Sequence, residues 1–509
     1  MKRSLGLGLV LGLGVVVACS SSSDDKPAPN PNADASVDPP EVTFPQGFLW
    51  GSATAGFQVE KGLPNSDWGM WVKTPGKIKG GDDPDKAGPD ALNHIDEDIA
   101  LLTKTGQNLY RFSIEWSRVY PTRDAFEKDT PDAGALAAYD KLFAALKAAH
   151  IAPMVTLQHF SIPSWLSDPA KAANEPQGWE RPEMVDAFAT WCGRAAKRWG
   201  GAVDWWATIN EPMVTPIAGY IQGSFPPGLV LALDRGLVAG KNMARGHAKC
   251  FDAIKAADVE DADADGKTSL VGIVQHMRAI EPEEPNDPED VAAADRVRYL
   301  NNLWFLEATT RGDWDDDFDG KLDGPNDRKA DPALANKNDW IGVNYYTTVT
   351  ASASRGFKLP VVNAAIRQDH IPNDRPKTDF AWDIYPKGFR VVLDEAKKYG
   401  LPIFVTENGI ADSKDVNRGR FFLEHLYELG KAMAEGIKVL GYVHWALIDN
   451  FEWASGFCPR FGLASYDPAS GARTLRPSAD VLTRIVKAGK VTKAEVEAAP
   501  PYAAPTPCE

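Results

Sequence analysis

Basic charge is in deficit in this chain. Its 55 Lys and Arg are outnumbered by 70 Asp and Glu, giving a net charge of −15. No basic stripe gathers that could displace counterions from a polyanion, which argues against a nucleic-acid partner. Cysteine is scarce as well, five in 509 residues. Cys192, Cys250, Cys458 and Cys508 have spacings that match no disulfide framework or metal site. Cys192 and Cys250 fall in helical stretches, where buried thiols are the expectation. No short-period repeat is present. The apolar run at residues 5–17 is too short to cross a bilayer comfortably, so an export signal is expected there rather than a membrane helix.

What is present begins with that N-terminus. Lys2 and Arg3 precede the apolar run, which ends Val16-Val17-Ala18-Cys19. This resembles a bacterial lipobox, in which Cys19 would be acylated and become the mature N-terminus. Ser20 to Ser23, then a Pro/Asn/Ala/Asp stretch to about Pro40, cannot bury enough apolar surface to fold and reads as a tether. The expected organisation is a lipoprotein signal peptide at 1–19, a tether at 20–41, one folded domain at 42–490 and a tail at 491–509. The expected location is exported and lipid-anchored to a bacterial membrane. Across the chain 44% of residues are hydrophobic, enough for a large core without disulfides. Sixteen Trp stand among them; indole faces suit the apolar C–H face of a pyranose, although most Trp in any protein are core.

From about residue 44 to 490, short apolar strand-like segments alternate with helical ones. Strands are expected at 48–55, 108–114, 151–158, 203–209, 270–275, 340–346, 402–406 and 439–445. Helices are expected at 91–105, 135–150, 182–199, 231–257, 288–309, 386–399, 418–435 and 477–487. Such alternation indicates parallel βαβ units, and eight of them indicate a closed (β/α)8 TIM barrel, here with enlarged βα loops.

In such barrels chemistry collects at the C-terminal ends of the strands. Gln58, Arg111, His159, Asn210, Glu211, Asn344, Tyr346, Glu407 and Glu452 all fall near those ends. The sharpest segments are Ile209-Asn210-Glu211-Pro212 and Thr406-Glu407-Asn408-Gly409. One strand-end Glu is usually a salt-bridge partner. Two, each beside an Asn and far apart in sequence, suit glycosidic cleavage, where one carboxyl protonates the leaving oxygen and the other attacks or stabilises the anomeric carbon.

These segments, with three others, carry a family resemblance. Phe44-Pro45-Gln46-Gly47-Phe48-Leu49-Trp50-Gly51-Ser52-Ala53-Thr54, Arg111 to Arg118, Asn210 to Pro212, Thr406 to Gly409, and Asp449 to Ala454 with Arg460 to Leu463 appear in order. Together they resemble glycoside hydrolase family 1, the β-glucosidase/β-galactosidase family, from roughly Phe44 to Ile485. His444-Trp445 and Ser455-Gly456-Phe457 resemble its archaeal-type branch.

The resemblance implies a retaining β-glycosidase acting on terminal, unphosphorylated β-D-glycosyl residues by double displacement, with no cofactor and no metal. It implies Glu211 as acid/base and Glu407 as nucleophile, with Arg111 and Tyr346 holding Glu407. It further implies a glycone pocket from Gln58, His159, Asn210, Asn344, Trp445, Glu452 and Trp453. Glu452 is a charge that a sugar phosphate would meet unfavourably. A transglycosylase using the same intermediate is the alternative enzyme. A non-catalytic sugar-binding barrel is disfavoured because both Glu are present. One segment departs from the family pattern: His159-Phe160-Ser161-Ile162-Pro163 stands where relatives read His-Trp-Asp-Leu-Pro.

Two Asp-rich loops, 261–266 and 315–323, imitate the start of a calcium loop. Gly272 and Asn326 occupy the position where a bidentate Glu would close it. Solvated acidic loops are expected.

Overall fold

In a computed structural model, residues 38–367 and 374–508 are described. The signal-peptide reading, Cys19 and most of the expected tether lie outside them.

Eight short segments, apolar and buried on both faces, form parallel strands. They are β1 (Leu49–Ala53), β2 (Leu109–Ser113), β3 (Ala152–Gln158), β4 (Trp205–Asn210), β5 (Leu270–His276), β6 (Trp340–Tyr345), β7 (Ile403–Asn408) and β8 (Val439–Trp445). Each pairs with the next in sequence, and β8 pairs with β1, Gly441 opposite Leu49 and Trp445 opposite Ala53, which closes the barrel. Helices follow the strands: α1 (Ile95–Lys104), α2 (Ala133–Ala148), α3 (Pro182–Trp199), α4 (Leu233–Ala257), α5 (Pro288–Arg298), α6 (Pro386–Lys397), α7 (Arg418–Ala434) and α8 (Ser478–Ala488). They start where chemistry favours starting. Pro occupies the first turn of α3, α5 and α6, and the Asp132 and Asp287 side chains cap α2 and α5.

The barrel is filled at its N-terminal end. Trp205, Trp340 and Phe404 meet edge to face, with centroids 5.1 to 6.4 Å apart. Room for them comes from glycine: a Cβ on Gly272 would collide with the Trp340 ring, and one on Gly441 with Phe404. Large and small residues thus alternate around the floor, as close packing of a tapered barrel requires.

Three features differ from the sequence expectation. The helix expected at 288–309 leaves the α form after Arg298 and runs on to Arg311 as two π-type segments, Tyr299–Leu303 and Glu307–Arg311, on either side of a short α-helical one, Trp304–Leu306. A four-stranded sheet of Ala279–Pro282, Thr348–Ser352, Ala364–Arg367 and Phe357–Leu359 grows from the loops after β5 and β6. Its strands, three to five residues each, are too short to carry a periodicity. The cysteines are bonded rather than free. Cys192 on α3 and Cys250 on α4 form a disulfide with Cα atoms 5.4 Å apart, and Cys458 is joined to Cys508. Separations of 58 and 50 residues give no local spacing to read; the bridges follow from tertiary packing.

The C-terminal segment is held to the barrel. Lys490–Thr492 pairs with Glu41–Thr43, a short helix Lys493–Ala498 follows, and the Ala503 and Thr506 amides donate to Asn417 and Asp379.

Candidate active site

Local backbone irregularities aim the two carboxylates. The β4–β5 register slips between Ala207 and Asn210, and Glu211 then takes a left-handed conformation, φ 49°, with its amide on the Val274 carbonyl at 2.8 Å. On β7 the register slips after Val405 against both neighbours, turning Glu407 into the barrel mouth. Asn408 pins that strand end: its amide donates to the Tyr345 carbonyl at 2.7 Å and its Oδ1 accepts from the Tyr442 hydroxyl at 3.0 Å. Gly409 follows because a Cβ there would collide with the Trp445 carbonyl oxygen.

Glu407 is gripped at both oxygens. Arg111 Nη1 donates to Oε1 and the Tyr346 hydroxyl to Oε2, each at 2.6 Å. Arg111 rises from inside β2 and is fixed by its own bonds to Asn210 Oδ1 (2.7 Å), the Thr406 carbonyl (3.1 Å) and Thr156 Oγ1 (3.2 Å). Burial keeps the Tyr346 phenol well above its usual range, so it stays a donor. Asn344 ties the halves together: Nδ2 donates to Glu211 Oε1 (2.8 Å) and Asn210 Oδ1 (3.2 Å), while Oδ1 accepts from Thr406 (2.7 Å).

The two carboxyls differ in charge. Burial, then the charge of Glu407, pushes Glu211 up to about 8. Burial raises Glu407 too, but Arg111 and Tyr346 pull against it. Glu407 therefore ionises first, and the proton resides on Glu211.

The other expected residues surround these. Gln58 sits on a helical turn, Gly56–Val59, and its Nε2 donates to Asn450 Oδ1 and the Phe451 carbonyl, both at 2.8 Å. That turn is set by the Arg111–Arg118 motif, since Ser113 Oγ and the Glu115 carboxylate accept from the Gly56 and Phe57 amides. His159 Nε2 accepts from Asn210 Nδ2 at 3.1 Å, which puts its proton on Nδ1; burial holds the ring well below its usual range and so neutral. The His159 ring lies nearly parallel to Trp445 and Trp453, 5.8 and 6.0 Å away. Trp445 Nε1 donates to Glu452 at 3.2 Å, and burial pushes Glu452 up to about 8.

The departing segment has a physical account. Phe160 takes φ 65° and packs on Trp453 and Phe225, while Ser161 Oγ donates to the Glu115 carboxylate at 2.7 Å. Burial and the charge of Glu60 already push Glu115 up to about 7. An Asp at 161 would add a like charge there, whereas a hydroxyl donates.

Other residues at the mouth went unread in the sequence. Arg278, just past β5, pulls Glu211 down against its burial, and Trp382 stands 5.6 Å from the Tyr346 ring. Both are loop residues with no motif around them. The Asp-rich loops, by contrast, bring together Asp204, Asp261 and Asp263, and Asp315, Asp317 and Asp327. In the second set both Asp315 oxygens and both Asp327 oxygens already accept backbone amides at 2.7 to 2.8 Å. Those bonds order the segment as an acidic turn.

A (β/α)8 barrel whose mouth holds one protonated and one clamped carboxyl defines an enzyme that cleaves O-glycosyl bonds. The chain matches the model of glycosyl hydrolase family 1 over residues 41–491. It is 35% identical to a β-galactosidase of Pyrococcus woesei, covering 88% of this chain and 98% of that protein. It is 32% identical to β-glucosidase A of Thermotoga maritima, covering 87% and 98%. Among solved structures it resembles the β-glycosidase of Thermosphaera aggregans (TM-score 0.77, 28% identity, 89% and 98% covered). A Thermotoga maritima family 1 glycoside hydrolase complexed with a cyclophellitol analogue transition state mimic is similar (TM-score 0.78, 28%, 89% and 100%). The chain belongs to glycosyl hydrolase family 1 and is a retaining β-glycosidase, with archaeal enzymes among its relatives, as the His444-Trp445 form led us to expect.

Proposed function

We propose that Glu407 is the nucleophile and Glu211 the acid/base of a two-step displacement on terminal, unphosphorylated β-glucosides, β-galactosides or β-fucosides. The observation that carries this is the asymmetry of the pair: an arginine and a phenol donate at 2.6 Å to Glu407, while Glu211 accepts only from the neutral Asn344 amide, and burial and Glu407 push it up to about 8. In the first step Glu407 forms a bond to the anomeric carbon, the bond from that carbon to the aglycone oxygen breaks, and Glu211 gives the oxygen its proton. Esterified Glu407 carries no charge, so the proton affinity of Glu211 falls. Glu211 then takes a proton from water, whose oxygen displaces Glu407 with the original configuration restored.

Gln58, His159, Asn210 and Glu452 would hold the glycone hydroxyls, with Trp445 and Trp453 as its wall. Asn210, fixed between Arg111 and His159, suits a contact to the 2-hydroxyl that strengthens in the transition state. The chain is further read as exported and lipid-anchored through Cys19. The N-terminal pattern supports this, and so do two disulfides, which persist in oxidising compartments.

Nitrophenyl β-glycosides of the gluco, galacto and fuco series test the substrate class. Glu407→Ala should abolish turnover on the preferred one, and added azide should restore it with inverted product. Unchanged activity in that variant refutes the nucleophile assignment.

A further inference from the structure

A cavity of about 210 Å³ is lined by Arg278, Thr347 to Thr350, Arg367, Phe380, Trp382 and Asp383; it lies beside the mouth, since Arg278 acts on Glu211 and Trp382 is 5.6 Å from the Tyr346 ring. Most basic groups around it are neutralised. Arg367 bonds Glu283 at 2.7 Å, Arg375 takes Glu281 at 2.8 and 2.9 Å, and Lys377 pairs with Asp383. Arg278 differs. Among the described residues no carboxylate lies within ion-pair distance of it, and its guanidinium has one hydrogen-bond contact, Nε to His276 Nε2 at 3.4 Å.

Its placement is nonetheless fixed. Asn302, fully buried, accepts from the Arg278 amide at 3.1 Å and donates to its carbonyl at 2.8 Å, while Met277 donates to the Asn344 carbonyl at 3.0 Å. Among the described residues the two terminal nitrogens of Arg278 have no protein partner and are open to the cavity, so they are available to a ligand. Opposite, Trp382 and Phe380, 4.6 Å apart, offer an apolar face, and the threonines offer hydroxyls.

We infer that, where this cavity receives the aglycone, Arg278 selects aglycones carrying a carboxylate, such as a uronic acid linked through its hydroxyl to the glycone. A planar fork of donors matches a carboxylate at two oxygens, and the ring of the same sugar can lie on Trp382. Glu211 does not oppose this, since it carries its proton while the substrate binds. The inference rests on the proposed catalytic pair, because the cavity is an aglycone site only if Glu211 protonates the leaving oxygen.

The test compares a glycosyl-β-1,4-glucuronic acid with its methyl ester, which keeps the leaving group and removes the charge. The wild type should favour the acid by about tenfold in kcat/KM, the worth of one charge-assisted contact. Arg278→Met should bring the ratio to about one, and Arg278→Lys should keep part of it. The ratio is taken within each variant, so a general loss of activity does not enter it. A wild-type ratio near one, or a ratio that survives Arg278→Met, overturns the selection by Arg278. A wild type inert on nitrophenyl β-glycosides and both disaccharides would instead overturn the catalytic reading, and the selection with it.

Discussion

Glu211 holds its proton at neutral pH because it is buried beside an ionised Glu407, and that proton is consumed in the first step. The free enzyme should therefore lose kcat/KM as pH rises through about 8, where Glu211 ionises. A pH profile on a nitrophenyl β-glycoside reads this. In Glu211→Gln, assayed with a dinitrophenyl glycoside whose leaving group needs no proton, the alkaline limb should vanish. A limb that persists there belongs to another group, and Glu452, also near 8, is the nearest. At this scale the sequence was generous with the carboxylates and reticent about their environment. The two Glu were legible because each stands in a motif at a strand end. The contrast between them comes from residues 61 to 296 positions away, Tyr346 and Arg111 among them, and from burial that no local pattern encodes.

The end of β7 shows how little freedom an element has once a catalytic group rides on it. Gly409 leaves no space between the strand and the Trp445 carbonyl. Gly409→Ala must push one or the other aside, and with it Glu407 or the glycone wall. A misplacement of about 1 Å in such a site costs on the order of 10²-fold. The loss should appear in kcat/KM on nitrophenyl glycosides while the thermal transition stays cooperative. All eight strands and their helices were legible, since alternating apolar runs and Pro or Asp starts are local signals. The added sheet was not, because the pairing of Thr348–Ser352 with Ala364–Arg367 is decided by what the loop packs against. Nor was the true seat of Gln58, which lies on a helical turn whose amides are received by Ser113 at the end of the next strand and by Glu115 just beyond it. The disulfide between α3 and α4 belongs to the same class of tertiary fact. Cys192→Ala with Cys250→Ala should cost about 4 kcal/mol of stability, the loop-closure value for a span of 58 residues, and lower the unfolding midpoint. Activity below the transition should be unchanged, because neither cysteine bonds any of the catalytic or glycone residues described above.

Over the whole molecule, buried titratable groups of both kinds set the pH dependence of stability. Asp67, Glu211 and Glu452 are raised to about 8 and Glu115 to about 7, so the folded chain binds protons that the unfolded chain has released. Their contribution is complete below about pH 4.5 and is lost as pH rises towards 8. Buried His247, His425 and His444, lowered to about 3, act in the opposite sense: their contribution is lost as pH falls below 6.5. Between these limits the two slopes oppose one another. Above 6.5 only the carboxyls act. Tm should thus be nearly level from about pH 5 to 6.5 and fall towards 8, and Glu452→Gln should shallow that fall. The aromatic floor of Trp205, Trp340 and Phe404 has one more effect, on traffic. With the barrel plugged beneath the carboxylates, the leaving alcohol and the incoming water share one doorway. A tenant slow to vacate that doorway holds the glycosyl-enzyme in waiting, and a second sugar already standing there is first in the queue.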